Sequence, residues 1–323
     1  MAPDARAVRL LAAGGTIAMQ GERAVPALDA EQLIEHLPGL QDTQIRAESI
    51  LSLPSAQLAL SQALELARRA VDAAAAGEGV VITTGTDTLE ELAVLCSMLH
   101  GGEAPIVITG ANRPASGPGA DGPANLIDAV ALARAPQAAG LGTLVVFGGE
   151  IHAGMTVRKI DSTGPAAFGS PGAGPLGRLV ERRVWLHARP LRPQPLRVER
   201  LDGRVEIITA ALGDDGVLLR AASGQADGLV VVALGAGHLP LGMLDELRRA
   251  CERIPVVLTC RPDRSSMLFA TYGFEGAEGD LRAAATCAPF LSAPAARMVL
   301  LCCLGAGLDC DGIAGALAPW DAR

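Results

Sequence analysis

The sequence predicts an α/β fold in two domains: a larger N-terminal domain built on a parallel sheet and a smaller C-terminal α/β domain. Three observations lead to this prediction. Apolar runs of strand length alternate with segments of helical periodicity, which is the pattern of α/β folds. A proline-rich stretch at residues 189–195 interrupts the alternation, which then restarts. Glycine- and threonine-rich turns follow two of the buried runs, at the end where α/β sheets bind ligands.

In the N-terminal domain, residues 1–188, we predict strands and helices in alternation. The predicted strands are Val8–Ala12, Ile45–Ser49, Gly79–Thr83, Pro105–Thr109 and Gly142–Phe147. The predicted helices are Ala30–Leu37, Ser55–Ala75, Thr88–Leu99 and Gly122–Ala133. Two later segments resemble hairpin arms and are expected to form an antiparallel edge of the sheet: Gly149–Lys159 and Leu179–His187.

Residues 189–204 are predicted to form a linker between the domains. The stretch 189–195 holds three prolines in seven residues, and proline continues neither a helix nor a central strand. In the C-terminal domain, residues 205–323, the alternation resumes. Its predicted strands are Val205–Ala210, Gly228–Leu234 and Pro255–Cys260, and its predicted helices are Leu241–Arg253, Pro294–Leu304 and Gly307–Leu317.

Composition narrows the classes of function. Half of the residues are hydrophobic and 19% are charged, so there is ample material for a core. The net charge of −8 argues against nucleic acid and anionic membranes as partners. The apolar stretch near the N-terminus is broken by Gly14-Gly15 and is too short for a signal sequence or a membrane span. Seven cysteines without a CxxC spacing fit a reducing compartment. We therefore expect a cytoplasmic protein.

The histidines do not indicate a metal site. The five are scattered without metal-ligand spacing: His36, His100, His152, His187 and His238. His238 lies in a glycine-rich loop and could face a site or a subunit contact, but a structural role is the favoured interpretation. We predict no metal and no cofactor.

Lys159 is the most informative residue, because it is the only lysine among 27 lysines and arginines. Arginine keeps its proton at any working pH, whereas lysine can lose its proton when it is buried or lies beside other charges. A chain that uses arginine everywhere else indicates a need for an amine at this position. The alternative is a GC-rich codon bias that left one lysine by chance.

The first candidate loop follows the first predicted strand. Gly14-Gly15 ends the strand and Thr16 comes next. Two glycines let the backbone adopt positive φ and approach a ligand closely. Taken alone, the loop is better explained as an ordinary turn with a capping threonine.

The second candidate loop repeats this arrangement. A buried run is followed by Gly85 and then by Thr86, Asp87 and Thr88. Thr88 and Glu91 have the spacing of a capping box, which predicts the start of a helix. The polar residues would then lie at a helix N-terminus, which suits a carboxylate or a developing oxyanion. One residue is enough to cap a helix, so two polar groups are left for another purpose.

Two Gly-Thr loops and one amine together suggest acyl transfer to water. A hydroxyl group is a weak nucleophile and needs a base within hydrogen-bonding reach. A lysine can be that base, and an aspartate beside it can hold and orient it. Threonine, lysine and aspartate would then take the roles of nucleophile, base and orienting group in a hydrolytic triad. Such an arrangement suggests a threonyl ester intermediate.

The loops resemble the two signature motifs of the bacterial-type L-asparaginase family, the asparaginase/glutaminase amidohydrolases. The first motif is matched by Ala13–Ala18 and the second by Thr84–Glu91. Five further blocks fit the family: Thr109–Pro114, Ala120–Asn125, Gly174–Gly177, Gly235–His238 and Thr271–Phe274. The likeness spans nearly the whole chain, and it implies a flavodoxin-like N-terminal domain.

The resemblance implies conversion of L-asparagine to L-aspartate and ammonia through a threonyl acyl-enzyme. Thr16 would be the nucleophile that attacks the side-chain amide. Thr86, Lys159 and Asp87 would form the second catalytic group, which activates a hydroxyl group or water. Sites completed across subunits are typical of the family, so a homodimer or homotetramer is implied as well.

The same resemblance assigns the substrate contacts. Ser55 would hold the α-carboxylate of the substrate, beside Gly85, and Asp87 would bind its α-ammonium group. The carbonyl of Ala111 would lie near the leaving amide nitrogen. Some members take an acidic residue from a neighbouring subunit, for which Asp263 is the nearest candidate.

One departure from the family pattern concerns the loop after the first threonine, which usually carries a tyrosine. The segment Met19–Pro26 has none, and the chain's single tyrosine is Tyr272. Glu22 and Arg23 are the ionisable residues of that segment, and we expect them to serve as part of a lid rather than in catalysis.

Several alternatives stay open. Glutaminase or D-asparagine activity could occur in the same site, because one methylene group gives only ~1–3 kcal/mol of discrimination. The missing tyrosine leaves room for a non-catalytic relative that binds asparagine or aspartate. A tRNA-linked amidotransferase subunit would be expected to carry an extra N-terminal domain. A nucleotide-binding oxidoreductase is weakly suggested by Gly235-Ala-Gly237, which lacks the third glycine of that motif.

Overall fold

The computed structural model describes residues 6–21, 25–35, 37, 39–40 and 43–321. The chain divides into two compact units between Pro195 and Leu196, within the segment predicted as a linker. The expected lid residues Glu22 and Arg23, and also His36, lie outside the described residues.

The first unit contains one large sheet with two short hairpins beside it. Its strands, in chain order, are β1 Val8–Gly14, β2 Met19–Gln20, β3 Val25–Pro26, β4 Ile45–Leu53, β5 Gly79–Thr83, β6 Ile106–Thr109, β7 Thr143–Phe147, β8 Glu150–Ala153, β9 Arg158–Lys159, β10 Phe168–Gly169, β11 Gly177–Val180 and β12 Arg183–Leu186. The order in the large sheet is β12-β11-β8-β7-β6-β5-β1-β4. Strands β2 and β3 pair with each other, as do β9 and β10.

The parallel part of the large sheet has the flavodoxin-like strand order. Strands β4, β1, β5, β6 and β7 run parallel, so the first strand lies between the second and the third. Strands β8, β11 and β12 continue the sheet in antiparallel pairs. The flavodoxin-like fold is therefore confirmed. The antiparallel edge is present, but the predicted arm Gly149–Lys159 contributes only β8 to it, because β9 pairs with β10. The predicted arm Leu179–His187 contains the turn between β11 and β12 instead of a single strand.

The order of strand addition reverses at β1, because β4 is added on one side of β1 and β5 on the other. In α/β sheets, ligands bind at the carboxyl ends of the strands at such a switch point.

The helices of the first unit are α1 Ala30–Glu35, α2 Leu60–Ala75, α3 Leu89–Leu99 and α4 Gly122–Arg134. The prediction of one helix over Ser55–Ala75 is wrong in its first turn. Residues Ser55–Gln57 form a separate 3-10 turn, and α2 begins at Leu60. The side chain of Gln62 accepts a hydrogen bond from the Ala59 N–H at 3.0 Å, which satisfies a donor at the new helix start.

The core of the first unit lies between the sheet and its helices. Strands β1, β5, β6 and β7 are almost fully buried, and Leu10, Val81, Val107 and Leu144 are each 0% exposed, whereas the edge strand β4 is half-buried to exposed along its length. Parallel strands covered by helices on both faces consist of such continuous apolar runs. This packing holds the strand ends in fixed positions, so the loops that follow them start from a rigid edge.

The second unit is a smaller parallel sheet with helices. Its strands are β13 Val205–Thr209, β14 Gly228–Ala233, β15 Val256–Cys260 and β16 Thr286–Cys287, and its helices are α5 Val217–Ser223, α6 Leu241–Cys251, α7 Glu278–Ala284, α8 Ala293–Gly305 and α9 Cys310–Leu317. The strand order is β13-β14-β15-β16, and all three pairs are parallel. The predicted C-terminal α/β domain is thus confirmed. Among the described residues, no helix combines the length and the apolar character needed to cross a membrane.

Three elements of the second unit were not predicted: α5, α7 and β16. The two helices have seven residues each, and the strand has two. Seven residues give fewer than two helical turns, too few for the apolar residues to establish a period.

Candidate active site

The first two candidate loops are packed backbone to backbone. Gly14 and Gly15 end β1 with φ values of +84° and +80°, so the positive φ predicted for them is present. A Cβ atom on Gly15 would overlap the backbone of Gly85, because the loops after β1 and β5 lie against each other. Thr16 begins the short 3-10 turn Thr16–Ala18 and is partly exposed. The backbone that leads into Thr16 therefore lies directly against the second loop.

Ser55 is held against the second loop by side chain and main chain. It is 4% exposed, and its Oγ accepts a hydrogen bond from the Asp87 N–H at 3.2 Å. A Cβ atom on Gly85 would lie 2.5 Å from that Oγ, so only glycine leaves room for the serine. Ser55 and Asp87 were predicted to contact the same substrate, and they are direct neighbours.

The predicted capping box at α3 is wrong in the role of Thr88. Thr88 is the N-cap residue of α3, but its hydroxyl group makes no capping hydrogen bond. The hydroxyl instead donates to the carbonyl oxygen of Ser55 at 3.1 Å. A hydrogen bond to another loop has replaced the local one, and it fastens the second loop to the Ser55 turn.

The lone amine reaches the second loop. Lys159 Nζ donates to Thr86 Oγ1 at 2.8 Å and to Asp87 Oδ1 at 3.2 Å. Thr86 is 6% exposed, while the side chains of Lys159 and Asp87 are 22% and 62% exposed. The amine therefore has one contact with a buried hydroxyl and one with an accessible carboxylate. An amine within hydrogen-bonding reach of a hydroxyl group can exchange a proton with it.

Glu90 is a polar contact that the sequence reasoning missed. Its Oε2 accepts a hydrogen bond from the main-chain N–H of Lys159 at 2.8 Å. Burial raises the pKa of Glu90; the Lys159 N–H and the positive charges of Arg158 and Lys159 lower it, and the net direction is upward. The signal available in the sequence was a second acidic residue directly before the one assigned to the capping box.

The third loop brings Ala111 to the same edge of the sheet. Ala111 is fully buried and follows β6, the strand next to β5. A Cβ atom on Gly122, at the start of α4, would lie 3.3 Å from the Cβ of Ala111 and 2.8 Å from Cγ1 of Ile17. Ile17 directly follows Thr16, so the three loops surround one region at the carboxyl ends of β1, β5 and β6.

Asp121 and Asn112 hold this third loop in place. The two carboxylate oxygens of Asp121 accept hydrogen bonds from the N–H groups of Asn112 and Arg113, at 3.1 and 2.9 Å. The side-chain amide of Asn112 donates to the carbonyl oxygen of Gly164 at 2.9 Å, in the segment that follows Lys159. The two separate sequence blocks that resemble the family, Thr109–Pro114 and Ala120–Asn125, are thus hydrogen-bonded to each other.

The remaining candidates lie in the second unit. Asp263 is exposed in the loop after β15, and its role stays a prediction. His238 Nε2 lies 3.5 Å from Glu278 Oε2, and its ring packs edge-on against Tyr272, with 5.0 Å between the ring centroids. In the part of the chain that the structure describes, no group of three or more His, Cys, Asp or Glu side chains could hold a metal ion.

Fold and site together define a class: α/β proteins in two units with a threonine–lysine centre at the carboxyl edge of a flavodoxin-like sheet. Within that class, the chain belongs to the asparaginase family. The family model described as asparaginase, N-terminal, matches residues 7–192. The model described as the glutaminase/asparaginase C-terminal domain matches residues 204–317. The predicted family is thereby confirmed.

Individual relatives match over most of their length. A probable L-asparaginase of Deinococcus radiodurans is 38% identical over 94% of this chain and 94% of its own. An L-asparaginase of Bacillus licheniformis is 30% identical over 85% of this chain and 87% of its own. The crystal structure of a probable cytoplasmic L-asparaginase from Campylobacter jejuni superimposes with a TM-score of 0.84 at 29% identity, covering 97% of this chain and 99% of that one.

Proposed function

We propose that this protein hydrolyses L-asparagine to L-aspartate and ammonia. The observation that carries the proposal is the contact of 2.8 Å between the chain's only amine side chain, Lys159 Nζ, and Thr86 Oγ1. The loop of Thr16 packs against the same segment. Family membership and the named L-asparaginases among the relatives support the same reaction.

In the proposed mechanism Thr16 attacks the carbonyl carbon of the substrate's side-chain amide. The threonine proton is transferred to the amide nitrogen, the C–N bond breaks, and ammonia leaves a threonyl ester. Water then attacks the ester, and its proton returns to the threonine oxygen as aspartate is released. Lys159, held by Thr86 and Asp87, assists by accepting a proton from the attacking hydroxyl group or water.

The proposed binding mode uses the groups that surround this centre. Ser55 holds the α-carboxylate of asparagine beside Gly85, and Asp87 offers its exposed carboxylate to the α-ammonium group. The buried Ala111 contributes its carbonyl near the leaving nitrogen. The hydrogen bond from the Asp87 N–H to Ser55 Oγ supports this proposal, because the residues proposed for the carboxylate and the ammonium group are then direct neighbours.

Glutamine is the second candidate substrate. It differs from asparagine by one methylene group, which gives only ~1–3 kcal/mol of discrimination, and a glutaminase-asparaginase of Pseudomonas fluorescens is among the relatives. We further propose a cytoplasmic location, which fits the relative from Campylobacter jejuni, although a relative from Haemophilus influenzae is named periplasmic. The homodimer or homotetramer stays a prediction.

The test is ammonia release from L-asparagine, D-asparagine and L-glutamine by the purified protein at neutral pH. A Lys159→Met variant serves as the control, because it keeps the apolar stem of the side chain and removes the amine. Release from L-asparagine that is lost in the variant is the expected result. A folded wild-type protein that binds asparagine or aspartate without releasing ammonia would instead identify a sensor.

A further inference from the structure

Lys159 is held at both of its ends by one short stretch of chain. Its side-chain Nζ donates to Thr86 and Asp87, and its main-chain N–H donates to Glu90 Oε2 at 2.8 Å. The three acceptors lie in the loop after β5 and in the first turn of α3. A single element therefore defines both the root and the tip of the lysine side chain.

Glu90 is well placed to act as a fixed point. It is partly buried in a helix of 11 residues that is mostly buried along its length. A carboxylate is favoured in the first turn of a helix, where the dipole is positive. Charge-assisted hydrogen bonds from N–H groups to carboxylates are shorter and stronger than neutral ones.

The strand that carries Lys159 belongs to a local hairpin, in which the N–H of Ile160 donates to the carbonyl oxygen of Ala167 at 2.7 Å. Strand β9 has two residues and pairs with the two-residue strand β10 rather than with the large sheet. The next residue, Ile160, is 57% exposed. The lysine stem has four flexible carbons, so it does not fix the position of the amine by itself. A shift of the main chain would carry Nζ away from Thr86 unless the stem adopted another conformation.

We propose that Glu90 is a positioning residue for the amine. Its carboxylate fixes the main chain of Lys159, so that Nζ meets Thr86 Oγ1 without a search among side-chain conformations. The effect on turnover rests on the proposed function. The hydrogen bond between Glu90 and the main chain of Lys159, called the clamp below, does not depend on which amide is hydrolysed.

The kinetic test compares three variants. Glu90→Met keeps the side-chain length and removes the acceptor, and we expect kcat to fall by about 10–100-fold, because small misplacements of a catalytic group carry costs of this size. KM should stay within about threefold, because the substrate contacts are unchanged. Glu90→Gln keeps an acceptor oxygen and should recover most of kcat. Glu65→Met removes an exposed partner of Arg69 on α2 and should leave both constants unchanged.

A second test reads the clamp directly, without activity. Because the chain has one lysine, protein labelled with ¹⁵N-lysine gives a single backbone amide signal, that of Lys159. Loss of the carboxylate acceptor in Glu90→Met should move this amide proton upfield, and Glu90→Gln should move it less. The signal of Glu65→Met should coincide with that of the wild type.

The results separate this proposal from the proposed function. A wild-type protein that hydrolyses no amide overturns the function, and the amide signal alone then decides the clamp. The clamp is overturned if the Lys159 signal ignores Glu90→Met, if kcat survives that change, or if Glu90→Gln is as impaired as Glu90→Met. Should Glu90→Met fail to fold, Glu90→Gln decides: an unmoved signal or a kcat reduced more than about tenfold counts against positioning.

Discussion

Each of the two units has a glycine-rich loop after a buried parallel strand, and the two loops serve different purposes. In the first unit β1 runs into Gly14-Gly15 and then Thr16; in the second, β14 is followed by Gly235-Ala236-Gly237. A Cβ atom on Gly15 would overlap the backbone of Gly85, whereas one on Gly237 would lie 2.6 Å from the flexible side chain of Met267. The first loop is thus fitted to another loop, and the second is fitted to core packing.

The polar side chains near the two loops also differ in purpose: one holds the main chain, and the other contacts side chains at the candidate site. In the second unit Glu278 is fully buried and accepts hydrogen bonds from the N–H groups of Thr271 and Tyr272 at 2.6 and 2.8 Å. Both bonds go to Oε1, which thereby holds the chain, while Oε2 lies 3.5 Å from His238 Nε2. In the first unit the amine of Lys159 contacts two side chains, one of them accessible. In both units a parallel sheet offers an edge, and the chemistry depends on what the loops place there.

The largest expected effect comes from comparing two buried threonines at the carboxyl ends of parallel strands. Thr86→Val removes the hydroxyl group that contacts Lys159, and we expect kcat for asparagine to fall about 10³-fold, as for loss of a general acid–base partner. In the second unit Thr259 is 0% exposed, and its hydroxyl group has no hydrogen-bond partner among the described residues. Thr259→Val should therefore leave kcat unchanged and the melting temperature equal or higher.

Ammonia release and thermal unfolding of the two threonine variants provide the measurement. Equal losses of activity in both would mean that the hydroxyl group of Thr86 has no special role. The distinction drawn between the two edges would then be wrong.

A smaller effect is expected from paired glycine substitutions. Gly15→Ala forces a Cβ atom into the backbone of Gly85 at a φ of +80°, and should destabilise the first unit by more than about 3 kcal/mol. Gly235→Ala meets no atom closer than His238 Nδ1 at 3.8 Å, and should cost about 1 kcal/mol for the left-handed conformation alone. Urea unfolding followed by circular dichroism compares the two variants, and similar midpoints would contradict the close fit between the loops after β1 and β5.

The smallest effect concerns acid stability. His152 in the first unit is 0% exposed, and burial lowers its pKa from 6.5 to about 4. Between about pH 6.5 and about pH 4, His152 binds a proton in the unfolded chain but not in the folded one. The free energy of unfolding therefore decreases as the pH falls through this range, by up to about 3 kcal/mol. His152→Gln should flatten the melting temperature over this range. His187→Gln changes an exposed histidine and should keep the wild-type slope.

Much of the site could be predicted because its parts are neighbours in the sequence. Gly85, Thr86 and Asp87 follow one another, and a strand that ends in glycine and threonine indicates a ligand loop before any fold is known. Lys159 was found by its rarity alone. The sequence does not indicate how close these residues lie to one another. Their proximity follows from the strand order, which brings β1 beside β5.

The contacts that were missed join segments far apart in sequence. Glu90 binds the main chain of Lys159 across 69 positions, and Thr88 gives its hydroxyl group to Ser55 across 33. Local patterns favoured a capping box at Thr88 and an unbroken helix from Ser55. Thr88 and Ser55 instead form a hydrogen bond that joins the loop after β5 to the turn Ser55–Gln57. A local sequence pattern contains no information about such a distant partner.

The amine of the candidate site comes from the hairpin β9–β10, outside the parallel strands that carry the threonines, and 73 residues separate Lys159 from Thr86. A ribosome therefore completes both threonine loops well before it makes the lysine. The growing chain can form its parallel core without a competent centre, and it gains one when residues beyond 159 have emerged and docked. In the proposed mechanism, the unfinished chain therefore lacks the amine of its candidate site until that stage of synthesis.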